Sequence, residues 1–167
     1  MTPPQTVVVD ANILINLGFA GRLDLLGQLS GLEFVSPPEV LSEILRPEHQ
    51  AGVREALRRG ELREVPLDDL EGLALFAGFR AFLGAGESAC LALAAVCGWM
   101  IASDEKRAFL REATRHLGNQ RILNTPGLLL LGIRRGALTV EEADGIKQLL
   151  ERHRFRMAFG SFRDLLA

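Results

Sequence analysis

Four carboxylates in this chain of 167 residues stand where they could do chemistry. Asp10 directly follows the run Val7-Val8-Val9, and Asp104 follows Trp99 to Ser103 in the same way. In a parallel α/β sheet, functional side chains gather at the carboxyl ends of the strands, which is where both aspartates would lie. Two carboxylates brought together in a partly desolvated cleft repel each other, unless a cation sits between them or one of them takes a proton. A hard cation that prefers oxygen ligands, Mg²⁺ or Mn²⁺, meets that need. Glu43 falls within the stretch Val40 to Leu45, on the margin of a helix whose apolar neighbours mark its buried side. Glu39 is one helical turn earlier on the same side and is its rival. Glu87 opens a helix after Gly84-Ala85-Gly86, and the small residues that follow would let that helix approach the sheet closely.

Each acid also has an ordinary structural role open to it. Asp10 and Asp104 could cap helices, Asp104 over a helix from Glu105 to His116, although Asn12 is the better-placed cap for a helix from Ile13 onward. Glu87 could complement a helix dipole in the first turn. Glu43 could be a surface residue of an amphipathic helix.

The elements that must position these residues follow from hydrophobic patterning. Thr6 to Val9 is a β-branched run suited to a strand buried on both faces. Leu32–Val35, Leu62–Val65, Trp99–Ala102 and Arg121–Leu123 read as further strands, the third of them near an edge. Helical patterns alternate with these runs, so the expected architecture is α/β: a three-layer α/β/α sandwich around a mainly parallel sheet of about five strands. Ser36-Pro37-Pro38-Glu39 predicts a helix with Ser36 at the N-cap and Glu39 closing a capping box. Thr139-Val140-Glu141-Glu142 repeats that pattern after a helix stop at Gly136, and Thr125-Pro126 opens a helix running to Arg135. No repeat or linker is visible, which predicts one domain over residues 1–167 with a C-terminal helical tail from about 139.

Composition excludes several classes. With 48% hydrophobic and 24% charged residues the chain resembles an ordinary soluble protein. Cys90 and Cys97, seven apart in an Ala/Leu-rich stretch, read as small core residues on one helix face rather than a disulfide framework. Three scattered histidines give no support for zinc. No secretory signal opens the chain, and the longest uncharged stretch is too short to span a bilayer, so a reducing cytoplasm and no membrane contact are expected. Charge is unevenly spread. Residues 1–103 hold 7 Lys+Arg against 13 Asp+Glu, whereas residues 104–167 hold 12 against 8. An Arg-rich C-terminal part suits phosphate contact, or simply a solvated face.

The segment Val8-Val9-Asp10-Ala11-Asn12-Ile13-Leu14-Ile15-Asn16-Leu17 resembles the opening of PIN domains, where an Asp ends the first strand and a small polar residue follows two positions later. Val40-Leu41-Ser42-Glu43-Ile44-Leu45 is similar to the family's second acidic motif. Gly86-Glu87-Ser88-Ala89 to Leu93-Ala94 is similar to the third, and Ile101-Ala102-Ser103-Asp104-Glu105-Lys106-Arg107-Ala108 to the fourth. Asn124-Thr125-Pro126-Gly127-Leu128-Leu129 resembles the family's turn after the last core strand. The tail from Phe155 to Leu166 is similar to a PIN subgroup related to VapC toxins. The resemblance implies a Mg²⁺- or Mn²⁺-dependent endoribonuclease, a homodimer, and a small antitoxin partner. It assigns Asp10, Glu43, Glu87 and Asp104 to metal binding and catalysis, with Asn12 and Ser103 orienting carboxylates or waters. Lys106, Arg107 and Thr125 are its candidates for contacting RNA. One position departs from the pattern: Glu105 stands where the family offers a second, later Asp, which bears on whether one metal or two are held.

Other readings stay open. A PIN-like protein that no longer cleaves, acting as a nucleic-acid- or protein-binding regulatory module, would have nearly the same sequence. A haloacid-dehalogenase-type phosphatase wants a second Asp two residues after the first, where this chain has Asn12. A serine hydrolase wants a Gly-x-Ser-x-Gly elbow, which is missing.

Overall fold

The computed structural model of the protein describes residues 2–166. Five strands form the sheet: β1 (Gln5–Val9), β2 (Leu32–Ser36), β3 (Arg63–Glu64), β4 (Met100–Ala102) and β5 (Ile122–Leu123). They lie in the order β3-β2-β1-β4-β5, and every pairing is parallel. β1 is central, and Val7, Val8 and Val9 are fully buried, as a β-branched run covered on both faces must be. The strand Leu62–Val65 expected near an edge is reduced to the two residues of β3, at one edge.

Helices flank the sheet in an α/β/α sandwich. They are α1 (Ala11–Phe19), α2 (Leu25–Gln28), α3 (Pro38–Ser42), α4 (Pro47–Arg58), α5 (Leu70–Phe79), α6 (Ala85–Cys97), α7 (Ala108–Leu117), α8 (Thr125–Arg134) and α9 (Val140–Arg152). Helix α6 packs on β1 and β4 and against α3, α5 and α7, while α1 packs with α4 and α8 with α9. Its stretch Ser88 to Ala94 is buried without a break, because small side chains let the helix axis lie close to the strands. Among the described residues no helix is long and apolar enough to cross a membrane.

Several local expectations are corrected. Ser36 does not cap α3. Its buried hydroxyl donates to Val9 O at 2.7 Å, and Pro37 takes the cap position without a side-chain hydrogen bond. Glu43 is not inside a helix: α3 stops at Ser42 and Glu43 is its C-cap, since Pro47 opens α4 and the preceding Arg46 is held extended. The helix expected from Glu105 begins only at Ala108, because the Asp104 carboxylate is drawn elsewhere. Cys90 is buried, but Cys97 lies exposed in the last turn of α6. That turn ends at Gly98 in the left-handed conformation, where the Arg121 guanidinium closes it by donating to Ala94 O and Trp99 O. The Thr139 capping box of α9 is present, with Glu142 as its partner.

The Ser36–Val9 bond ties the end of β2 to the last residue before Asp10. Ser36→Ala deprives a buried carbonyl of its donor and should cost about 1–2 kcal/mol. The expected readout is a lower urea midpoint with an unchanged slope; an unchanged midpoint would show that the carbonyl is satisfied without the hydroxyl.

Candidate active site

The strand order creates one topological switch point. The chain moves from β1 outward to β2 and β3, then returns to the other side of β1 to form β4. Crossovers therefore leave in opposite directions from β1 and β4, and a crevice opens outside their carboxyl ends. Asp10 and Asp104 follow these two strands, Asp10 immediately and Asp104 after Ser103.

Asp10 is only 3% exposed. It is itself the N-cap of α1, which displaces Asn12 from the role expected of it: Oδ1 accepts from Ala11 N at 2.8 Å and Oδ2 from the Ser103 hydroxyl at 3.0 Å. Burial outweighs those two donors and pushes the carboxyl up from 3.8 to about 6, with the charges of Glu105 and Glu43 adding to the effect. Ser103 is buried and works in two directions, since its Oγ also accepts from Glu105 N at 3.1 Å.

Asp104 is held differently. Its Oδ1 accepts from Thr125 N at 2.7 Å, and its Oδ2 accepts from the Thr125 hydroxyl at 2.5 Å and from Asn16 Nδ2 at 3.0 Å. It therefore satisfies the first backbone N–H of α8, whose N-cap is Asn124, rather than capping a helix that follows it. Burial raises its pKa, and these three donors work against that rise. Thr125, expected as an RNA contact, is fully buried with its hydroxyl on Asp104, so it positions that carboxylate and offers no surface to a strand. Asn12 fastens the loop after β4. Its Nδ2 donates to Glu105 Oε1 at 3.1 Å and its Oδ1 accepts from Asp104 N at 3.3 Å.

The glutamates arrive from the α6 side. Glu43 Oε1 accepts from Gly86 N at 2.8 Å, joining the end of α3 to the first turn of α6. Glu87 lies in that same turn. Burial raises its pKa, followed by the charge of Glu105; the Gly84 backbone N–H acts against the rise, and Glu43 adds to it. The buried thiol of Cys90 reports how these acids gather. Burial pushes it well up, and the charges of Asp10, Glu43, Glu39 and Glu87 all push further in the same direction. Glu39 Oε2 and Ser88 Oγ are buried without a hydrogen-bond partner among the described residues. Lys106 and Arg107 are exposed, Arg107 at φ 54° just before α7.

Sequence reasoning passed over Asn16 as a holder of Asp104, and saw Glu105 only as a departure. Both could have been found. Asn16 is one turn after Asn12 on α1 and shares its face, and Glu105 adjoins Asp104.

The donor set suits a hard divalent cation: carboxylate oxygens of one sign, the carboxyls of Asp10, Asp104 and Glu87 pushed upward by burial, and a carboxylate oxygen left unpaired at Glu39. As the side chains stand, no three His, Cys, Asp or Glu among the described residues come close enough to hold a metal ion.

An all-parallel β3-β2-β1-β4-β5 sheet within an α/β/α sandwich, with carboxylates at its switch point, is a PIN-like architecture. The family profile of the PIN domain matches residues 6–167, and the chain belongs to that family. No curated protein matches the chain.

Two outcomes follow from this geometry. Because the native carboxyl of Asp10 binds its proton more tightly than the unfolded one, its contribution to stability is greatest below about pH 4 and is lost as pH rises to about 6. In metal-free buffer Asp10→Asn should remove that slope and stabilise the protein near neutral pH by up to about 3 kcal/mol. Thermal melting across the range checks this; equal pH slopes for both proteins would show that Asp10 is not forced to ionise against burial. Gly86→Ala places a Cβ 2.8 Å from Glu43 Cδ, but what it meets is the end of a flexible side chain. The expected result is a stability change within about 1 kcal/mol, with Glu43 displaced and any metal-dependent stabilisation or activity reduced.

Proposed function

We propose that this PIN-domain protein is a Mg²⁺- or Mn²⁺-dependent endoribonuclease. The observation that carries the reading is the buried, elevated Asp10 carboxyl at the β1–β4 switch point, with Asp104, Glu43 and Glu87 disposed around the same edge. PIN domains are generally nucleases, which supports the same conclusion. Asp10, Asp104, Glu43 and Glu87 would hold the ion; when bound, it supplies Lewis-acid stabilisation of phosphodiester oxygens and a water of lowered pKa.

The chain's own residues have separable tasks. Ala11 N and the Ser103 hydroxyl orient Asp10, and Thr125 with Asn16 orients Asp104. Asn12 keeps Glu105 beside the edge, where its charge discourages ionisation of Asp10 and Glu87 unless positive charge is present. Lys106 and Arg107, both exposed after β4, would meet RNA phosphates, Lys106 as a point charge and Arg107 as a fork. We further propose that the protein is the toxin of a type II toxin–antitoxin pair, cytoplasmic and homodimeric, and is restrained by a small partner protein. Its tail from Phe155 to Leu166 supports this through likeness to the subgroup related to VapC toxins.

A second reading, a PIN-like module that binds without cleaving, is favoured by one observation. The acids do not by themselves close to metal-binding distance.

The test is cleavage of a labelled single-stranded RNA by purified protein with Mg²⁺. Asp10→Asn and Asp104→Asn should each lower the rate by roughly 100-fold or more, and EDTA should abolish it. Mg²⁺ should raise the melting temperature of the wild type and not of Asp10→Asn. Equal cleavage by wild type and Asp10→Asn, with EDTA stopping neither, overturns the mechanism. Binding without cleavage by the wild type establishes the second reading. For the toxin role, expression should arrest growth, and co-expression of a small protein from the adjoining reading frame should relieve it.

A further inference from the structure

Asp104 and Glu105, at one side of the acidic edge, line a groove of about 1120 Å³, larger than the roughly 300–1,000 Å³ of most small-molecule pockets. Two separate stretches line it with charge of opposite sign. From the loop after β4 come Asp104, Glu105 and Lys106, and from the segment after α9 come Arg154, Phe155 and Arg156. The cations are uncommitted: Lys106, Arg154 and Arg156 are exposed, and none makes an ion pair or side-chain hydrogen bond among the described residues. Glu151, whose carboxylate feels Arg156, is paired instead with Lys147 at 2.7 Å. Some exposed arginines elsewhere, Arg58, Arg59, Arg63 and Arg163, are tied to glutamates.

Phe155 is half-buried. It packs partly against the core and contributes to the groove lining. Its neighbour Phe159 already has an edge-on partner in Phe162, at 4.9 Å between ring centroids, whereas no such pairing occupies Phe155 among the described residues. Arg154, at φ 69°, is the left-handed residue that ends α9, with Phe155 N donating to Leu150 O at 3.0 Å, and this turn is what brings Phe155 to the groove.

We infer that the groove is the track of a single RNA strand, with a base stacked on Phe155 and its flanking phosphates held by Arg154, Arg156 and Lys106, which leads the backbone to the acids at the β1–β4 edge. A polyanion needs cations where it binds and tolerates acids only at the point of reaction; Arg154 and Arg156 stand on one stretch, and Lys106 follows the acids Asp104 and Glu105 on the other. A base can lie on an aromatic ring only when it is unstacked, which a single strand allows and a duplex does not. This assignment rests on the ribonuclease reading for the identity of the strand as RNA, but it concerns binding rather than cleavage.

The experiment is fluorescence anisotropy with a labelled single-stranded oligoribonucleotide of about 12 nucleotides, in EDTA so that the probe is not consumed. Arg154→Ala with Arg156→Ala should weaken binding at least about tenfold, and should reduce the magnitude of the salt slope of log Kd by about 1.4. Phe155→Ala should weaken binding at least about fivefold, and Phe155→Trp should restore it, with indole emission quenched as the strand binds. Circular dichroism and melting check each fold; if Phe155→Ala unfolds, the double arginine variant and Phe155→Trp carry the test. Unchanged affinity in the arginine and Trp variants with no quenching, no binding of the single strand by the wild type, or equal binding of the matching duplex overturns the inference. The two readings fail separately. Cleavage by groove variants with unchanged affinity sinks the track alone, whereas groove-dependent binding by a wild type that never cleaves sinks the nuclease alone.

Discussion

A carboxylate has been placed at the end of a strand that is buried on both faces, and much of the surrounding structure answers to that placement. An ionised Asp10 would lose hydration that two hydrogen bonds do not replace, so its pKa climbs to about 6. Helix α6 worsens the problem by lying close enough, through its run of small residues, to bring Glu87 and the Gly86–Glu43 contact to the same edge. Behind the acids the Cys90 thiol is pushed well up by its own burial first, and further by their charges. A hydrophobic substitution at residue 10 would relieve all of this and would also remove the chemistry. The acids are costly to the fold, and positive charge from outside is what would make the arrangement favourable.

The two aspartates solve their shared position in different ways. Asp104 is surrounded by donors from Thr125 and Asn16, and serves the fold by satisfying the start of α8. Asp10 has fewer donors and a stronger desolvation, so it is the carboxyl whose protonation state changes nearest neutrality. Neighbouring titratable groups in unlike environments are a recurring feature of sites that handle protons or cations. Glu105 acts on both alike, its charge adding to the upward push on the two aspartates and on Glu87.

The central strand, the strand set and the α/β/α layering were legible because β-branched burial and helical periodicity are local signals. The five strands coincide with the segments that patterning marks, although β1 begins one residue earlier at Gln5, β2 runs on to Ser36, and Arg121 belongs to a short 3-10 turn rather than to β5. What local patterning could not reveal was which polar side chain serves which backbone group. Ser36 reads as a helix cap until Val9 O is beside it, and Asn12 reads as a cap until Asp10 proves nearer to Ala11 N. Asp104 and Thr125 are 21 positions apart, and nothing in either neighbourhood announces that one will satisfy the first backbone N–H of the other's helix. Placing the acids at one edge was legible through strand-end logic. The donors that tune them were not, because each depends on contacts across the fold.

The bonds around Asp104 have a temporal consequence. Asn16, Asp104 and Thr125 come from the beginning, the middle and the last third of the chain, and Asn12 reaches across 93 positions to Glu105. Contacts of such sequence separation form late, after loop closure has been overcome. On a ribosome, a nascent chain that has emerged only as far as α7 has all four acids but not the two Thr125 donors that hold Asp104. The edge is therefore completed only when α8 docks.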